Sequence, residues 1–341
     1  MIKIYHDFPG EVESLWRDLE RDPKVLVFQT FVWCESAWRT FAGARKGRSV
    51  HIIVWRGDKG ETPVLLPTFI DEHGALRFIG DEHSDAGDAL YERNVNKHWA
   101  FKEIVEYIRG DRDVRSVALQ KFRLDSEALQ YLSVFMKDAL VYRDHTYSWI
   151  EFPAGKGFME GQVHLKAKDR DRIKANERKC SGSLVRVFSS MRRDAFPVER
   201  IEKMLDVMKA TGARDGHFFD EKIMSFVRRL YDAGACEIVA LSKGDIDEAI
   251  SFQMVKGNRN HCWVFLYSDP QKNTMHRVKY FDEIAASGGI VDFGVGTYDY
   301  KMGTFRPALG CTFSLRWGRG LFMKMYAYAR MLWRFLRVGL Q

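Results

Sequence analysis

The densest run of chemically capable residues is Asp292-Phe293-Gly294-Val295-Gly296-Thr297-Tyr298-Asp299-Tyr300-Lys301. It stands where a β-rich run ends and a turn begins. Its glycines let the backbone turn tightly and come close to a ligand. A carboxylate at a strand end, with a phenol and an ammonium eight and nine residues on, brings Asp292, Tyr300 and Lys301 toward one crevice. Such a set can take a proton from a nucleophile, return one to a leaving group and hold an anion. The same residues also read as a turn whose Asp caps the following helix and whose Tyr and Lys pack locally.

Other candidates are more isolated. His217 follows Gly216 in a loop; a free imidazole titrates near neutrality and can act as a general base, or it can simply cap a helix. Asp85 closes the acidic loop Asp81-Glu82-His83-Ser84-Asp85. Its residue types suit a metal, but the spacing matches no ligand motif, so a solvated loop and no metal are expected. The letters D-F-G occur in protein kinases, but no Gly-rich phosphate loop or catalytic-loop H-R-D accompanies them here, which excludes that chemistry. The five cysteines, at 34, 180, 236, 262 and 311, form no C-x-x-C pair and read as reduced thiols of a cytoplasmic protein.

The elements that must position these residues alternate along the chain. In the first half, a helix over 11–20 and a short strand over 25–28 precede a helix that Thr30 can cap. Strands over 49–55 and 62–69 flank the turn Gly57-Asp58-Lys59-Gly60, and a strand over 75–79 follows. A helix over 95–108, a strand over 114–119, a further helix and a strand over 147–152 close this half. Breaking residues cluster at Pro153-Ala154-Gly155-Lys156-Gly157. The expected lobes are therefore 1–153 and 157–318, with a C-terminal helix over 319–341. The second half opens with a basic helix over 158–180. A strand over 184–188 and helices over 195–211 and 218–233 follow. Strands over 236–242, 247–256 and 260–268 turn at Gly244 and Gly257. A helix over 274–287, a strand over 289–293, a short helix near 298–305 and a strand over 311–317 complete an α+β scheme. Both halves have similar element order.

Further segments sharpen this. The 292–301 run resembles the D-F-G-x-G-x-x-x-Y-K signature of the CelD-like acetyltransferases, which belong to the GNAT superfamily and are related to the FemAB peptidoglycan aminoacyltransferases. Phe28-Gln29-Thr30-Phe31-Val32-Trp33 is similar to that family's F-Q-S-x-x-W, and Gly80 with Ser84-Asp85 to its G-x-x-x-S-D-Y, Ala86 replacing the Tyr. Leu241 to Ile250 resembles its strand-turn-strand. The resemblance covers about 20–305. It implies tandem GNAT-like domains, each a mixed, mostly antiparallel sheet flanked by helices, with an acyl donor, acetyl-CoA or another acyl-CoA, bound by the second. It raises Asp85 as a site residue where the halves meet. The donor's phosphates would meet the helix start carrying Lys272, Asn273 and Thr274, where free N–H groups attract anions. The family's S-P-G there is replaced by Ser268-Asp269-Pro270, without glycine.

The expected function is N-acyl transfer to an amine of a sugar, amino acid or cell-envelope precursor. An aminoacyl-tRNA-dependent transferase and a non-catalytic binding protein of a polysaccharide pathway are the alternatives. The formal net charge of +7 bears on the partners. Residues 315–341 hold six Lys or Arg and no acid, which leaves the remainder near neutrality at +1. On a helix, Leu321, Met325, Tyr328, Leu332 and Leu336 form one stripe opposite Arg330, Arg334 and Arg337. That helix either packs on its own domain or docks on a membrane surface or protein. The basic helix near 164–179, with seven Lys or Arg against three acids, reads as a solvated face; nucleic acid is the other partner it fits. Nothing resembling a signal peptide or a membrane span is present in the sequence.

Overall fold

The computed structural model describes residues 1–43, 45–57, 63–161, 165–211, 219–298 and 301–320, with 325, 328, 329, 331 and 332. It divides into two units, Met1–Thr146 with Gly310 onward, and Tyr147–Leu309.

The first unit begins with β1 (Ile2–Tyr5), α1 (Gly10–Leu19) and α2 (Phe31–Ala37). Short strands follow: β2 (Ser49–Val50), β3 (Ile52–Trp55), β4 (Val64–Leu66), β5 (Thr68–Ile70), β6 (Ala75–Phe78) and β7 (Leu90–Tyr91). Then come α3 (Lys97–Gly110), β8 (Ser116–Arg123), α4 (Glu127–Phe135) and the start of β9 (Leu140–Phe152). Strands β1, β3, β4 and β7 form an antiparallel sheet. In a second sheet β8 lies between β6, to which it is parallel, and the late strand β15 (Ala308–Gly318), to which it is antiparallel. Apolar residues of α3 and α4, among them Phe101, Ile104 and Leu132, bury against Val117, Leu119, Leu315 and Trp317 of these strands.

The apolar run 25–28 is not a strand. Val27–Gln29 make a short 3-10 turn, because the Gln29 side chain accepts from the Leu26 N–H at 2.6 Å and Thr30 caps α2. That local polar closure satisfies the backbone without a sheet partner.

The second unit takes the end of β9, then α5 (Phe158–Gly161), α6 (Ala167–Lys179), β10 (Leu184–Phe188), α7 (Val198–Thr211) and α8 (Glu221–Asp232). It continues with β11 (Cys236–Lys243), β12 (Ile246–Lys256), β13 (Arg259–Tyr267), α9 (Pro270–Ser287) and β14 (Gly289–Val295). Its sheet runs β10-β11-β12-β13-β14-β9, antiparallel except for the β13–β14 pair. The β11–β12 and β12–β13 hairpins turn on Gly244 and Gly257, whose φ of 60° and 59° strains any residue with a Cβ. Phe281 of α9 packs against Phe152, Phe158, Phe293 and Phe305 with ring centroids 5.5 to 6.0 Å apart. Both units are therefore mixed α+β layers of mostly antiparallel sheet flanked by helices. The expected C-terminal helix lies almost wholly outside the described residues.

Candidate functional site

The parallel strands β13 and β14 pair over only three residues, Arg259 with Ile290, Asn260 with Val291, and His261 with Asp292. Both strands continue beyond that last rung, to Tyr267 and Val295, with no further β13–β14 pairing. Beside it β13 carries a bulge, its register against β12 shifting between Cys262 and Val264. β14 bends too, its register against β9 shifting between Asp292 and Val295. Bulges of this kind re-aim side chains at strand ends.

Asp292 sits at this point with no exposed surface. A buried carboxylate needs partners; two donors bond it and a histidine ring lies beside it. The Gly294 N–H donates to Oδ1 at 2.9 Å, Arg259 Nη1 lies 3.2 Å from Oδ2, and His261 Nδ1 lies 3.4 Å from Oδ1. Arg259 and His261 are two residues apart on one strand and so share a face. The arrangement places a histidine ring beside a carboxylate whose charge an arginine balances.

Lys301 follows at the start of one π-helical turn, Lys301–Phe305. Its side chain is buried, and its ammonium donates to the carbonyls of Phe293, Val295 and Gly296. Lys301 thus closes the glycine turn that leaves β14. The turn is held from outside by α6: Arg172 donates to Gly303 O and Thr304 Oγ1, both at 2.9 Å, and Arg306 pairs with the buried Asp169 at 2.9 Å.

The structure gathers Asp292 and Lys301 and adds His261 and Arg259, which sequence reasoning missed. Their signal was the alternation of Arg259 and His261 in a strand, but only the β13–β14 register reveals what they face. Tyr300 and His217 lie outside the described residues. Asp85 belongs to the first unit, half-buried in a loop whose Asp81 and Ser84 carbonyls accept from Lys121 Nζ at 2.9 and 2.5 Å. Above that loop Gly80, at φ 76°, packs against Trp33; a Cβ there would sit 3.0 Å from the indole nitrogen.

Lys272, Asn273 and Thr274 lie in the first turn of α9, which begins four residues before the expected position 274. Asp269 is its N-cap and Pro270 its first residue, a favoured pairing because proline has no N–H to satisfy. Thr274 donates back to the Pro270 carbonyl at 3.2 Å.

As a cradle for the diphosphate of an acyl-CoA, this start does not fit. Pro270 offers no N–H. The Gln271 N–H is taken by the Asp269 carboxylate at 2.8 Å, and the Asn273 N–H by the Asp269 carbonyl at 3.1 Å. Lys272 Nζ is held by Glu248 at 2.5 Å, and the other Glu248 oxygen accepts from Ser183 Oγ at 2.5 Å. The side-chain oxygen of the buried Asn273 has no hydrogen-bond donor; it calls for a donor group, not for an anion. Among the described residues, no group of three or more His, Cys, Asp or Glu could hold a metal ion, and no helix is long and apolar enough to cross a membrane.

Residues 167–302 match the family model described as an acetyltransferase (GNAT) domain. Solved structures share the fold across both units. A conserved protein of unknown function from Bacteroides thetaiotaomicron aligns with a TM-score of 0.57 at 9% identity, over 94% of this chain and 100% of that one. A C-terminal domain assigned to a lysylphosphatidylglycerol synthetase from Agrobacterium fabrum gives 0.55 at 11% identity, over 94% and 95%. FemX gives 0.52 at 13% identity, over 92% and 96%. No curated protein matches the sequence.

Proposed function

We propose, on the premise that residues 167–302 form a GNAT acetyltransferase domain, that the chain is an N-acyltransferase acting on an amine of a sugar, an amino acid or a cell-envelope precursor. Acyl-CoA is the donor to test first, and the CelD-like branch is the reading that the 292–301 signature supports.

The observation that carries this reading is the His261–Asp292 rung, the last before two parallel strands part. An opening of that kind admits an extended ligand, and N–H groups on the β14 side of β13 are placed to bond the acyl oxygen as it gains charge. In this scheme Asp292 is a positioning residue. It stands 3.4 Å from His261 Nδ1 and sets the charge beside a ring that takes the proton of the attacking amine. His217 and Asp85 are the other candidate bases. Arg259 keeps the buried pair near neutrality. Tyr300 supplies a proton to the departing group, and Lys301 keeps the turn in shape.

The closed start of α9 favours a second reading, a FemAB-like transferase whose donor is an aminoacyl-tRNA. The attack by an amine on an activated acyl carbon is the same in both.

The test is release of free thiol from acetyl-CoA with a panel of amines, using wild type, His261→Gln and Asp292→Asn. Both variants should fold by circular dichroism and lose roughly 10²–10⁴-fold in rate. Undiminished turnover in both removes the rung from the chemistry. No thiol release from any acyl-CoA, with product formed from an aminoacyl-tRNA, selects the second reading. No turnover with either donor leaves a binding protein.

A further inference from the structure

The start of α9 offers phosphate little, and α6 beside it carries a row of bases; of Lys168, Arg172 and Lys179, only Arg172 has a carboxylate neighbour among the described residues, Asp169 at 3.5 Å. At about 100° per residue, Lys168, Lys179 and Arg172 fall within about 40° of one another, on one edge of α6. All three are exposed, while Asp169 and Ile173 turn inward. Neither Lys168 nor Lys179 has a carboxylate partner among the described residues. The edge has a definite address. Arg172 reaches the turn at Gly303 and Thr304, and Lys179 Nζ donates to Gln271 Oε1 in the first turn of α9 at 3.1 Å. It therefore runs between the two elements that flank the parting strands. From Lys168 to Lys179 it spans about 16 Å, at about 1.5 Å per residue, long enough to meet more than one phosphate group.

We infer that the phosphate-bearing part of the donor is recognised along this edge of α6, by Lys168, Arg172 and Lys179, and not at the start of α9. The inference rests on the acyltransferase reading of the second unit. It names the chemistry that recognises the donor's carrier: oligophosphate, from either a coenzyme or a nucleic acid end.

The experiment measures binding of two probes to the full chain, coenzyme A and a labelled single-stranded RNA of ten nucleotides, across a salt series. The variants are Lys168→Gln/Lys179→Gln, Glu248→Gln, and Lys203→Gln as a control on exposed charge elsewhere in the unit. Arg172 is kept because it also anchors the turn. At least one probe should bind wild type. The double variant should bind it about tenfold more weakly, with the slope of log K against log salt smaller by about 1.4 if the RNA is the ligand. Lys203→Gln should change nothing. Glu248→Gln, which frees Lys272, should leave affinity unchanged. The inference is overturned if the double variant binds like wild type, if Glu248→Gln tightens binding severalfold, or if neither probe binds wild type. Probe binding through α6 without any acyl transfer would sink the proposed function and leave this inference standing. Acyl transfer indifferent to Lys168 and Lys179 would do the reverse.

Discussion

Lys301 donates its ammonium protons to three backbone carbonyls of one turn, those of Phe293, Val295 and Gly296, at 2.6, 3.1 and 3.3 Å. Lys301→Met keeps the length of the side chain and removes all three bonds. A buried acceptor left alone costs about 1–3 kcal/mol, so the second unit should lose roughly 3 kcal/mol or more in urea unfolding. Wild-type stability with abolished turnover would instead place the ammonium in the chemistry.

Gly80→Ala tests the link between two segments far apart in sequence. The new Cβ would meet Trp33 Nε1 and Ala37 Cβ, each at 3.0 Å, at a φ of 76°. Strain and crowding together should destabilise the first unit by about 1–3 kcal/mol, read as a lower unfolding midpoint. A variant as stable as wild type would mean the loop relaxes freely.

The half-buried Asp88 and the buried His276 give the units opposite responses to acid. Removal from water pushes the Asp88 carboxyl up to about 7, against hydrogen bonds from Ser126 and Ala89 that pull it down. Between about 4 and 7 the folded state holds a proton that the unfolded chain has released, so stability falls as pH rises. Burial pushes His276 down to about 4, although its Nε2 lies 2.8 Å from the Val239 carbonyl. There the unfolded chain holds the extra proton between about 4 and 6.5, and stability falls as pH drops. Moving from pH 7 to 4.5 should therefore protect the first unit and loosen the second, by on the order of 3 kcal/mol each. Hydrogen exchange read separately at Leu132 and Val239 checks this; parallel trends would refute it.

Arg306 combines strain with an ion pair. Its φ is 45°, and its Nε lies 2.9 Å from the buried Asp169 carboxylate. Arg306→Ala loses the pair and keeps the strain, whereas Arg306→Gly loses the pair and relieves it. The glycine variant should be the more stable of the two by about 1 kcal/mol in denaturant melts. Equal stability would show that the backbone there carries no strain.

How much was legible in the sequence depended on distance along the chain. The hairpins of β11, β12 and β13 could be read because a turn at Gly244 or Gly257 is decided by its own few residues. The start of α9 lies at Pro270 and not at 274, because Asp269-Pro270 is the stronger local signal. The run 25–28 looked like a strand because apolar content alone cannot tell a strand from a buried turn. Asp292 and Lys301 stood out by type and spacing. Their partners did not, since His261 meets Asp292 only through a parallel register between strands separated by an entire helix.

The chain leaves the first unit inside β9 and returns inside β15, where Ser116 pairs with Gly318. On the ribosome this sets an order of completion that reverses the order of synthesis. The second unit is one uninterrupted stretch and can close as soon as Leu309 has emerged. The first, made earlier, must keep the β15 side of β8 unpaired until residue 318 arrives, and its long-range closure comes last. Until then that strand edge is a site for misplaced pairing, so the burden on chaperones falls on the half of the protein that was synthesised first.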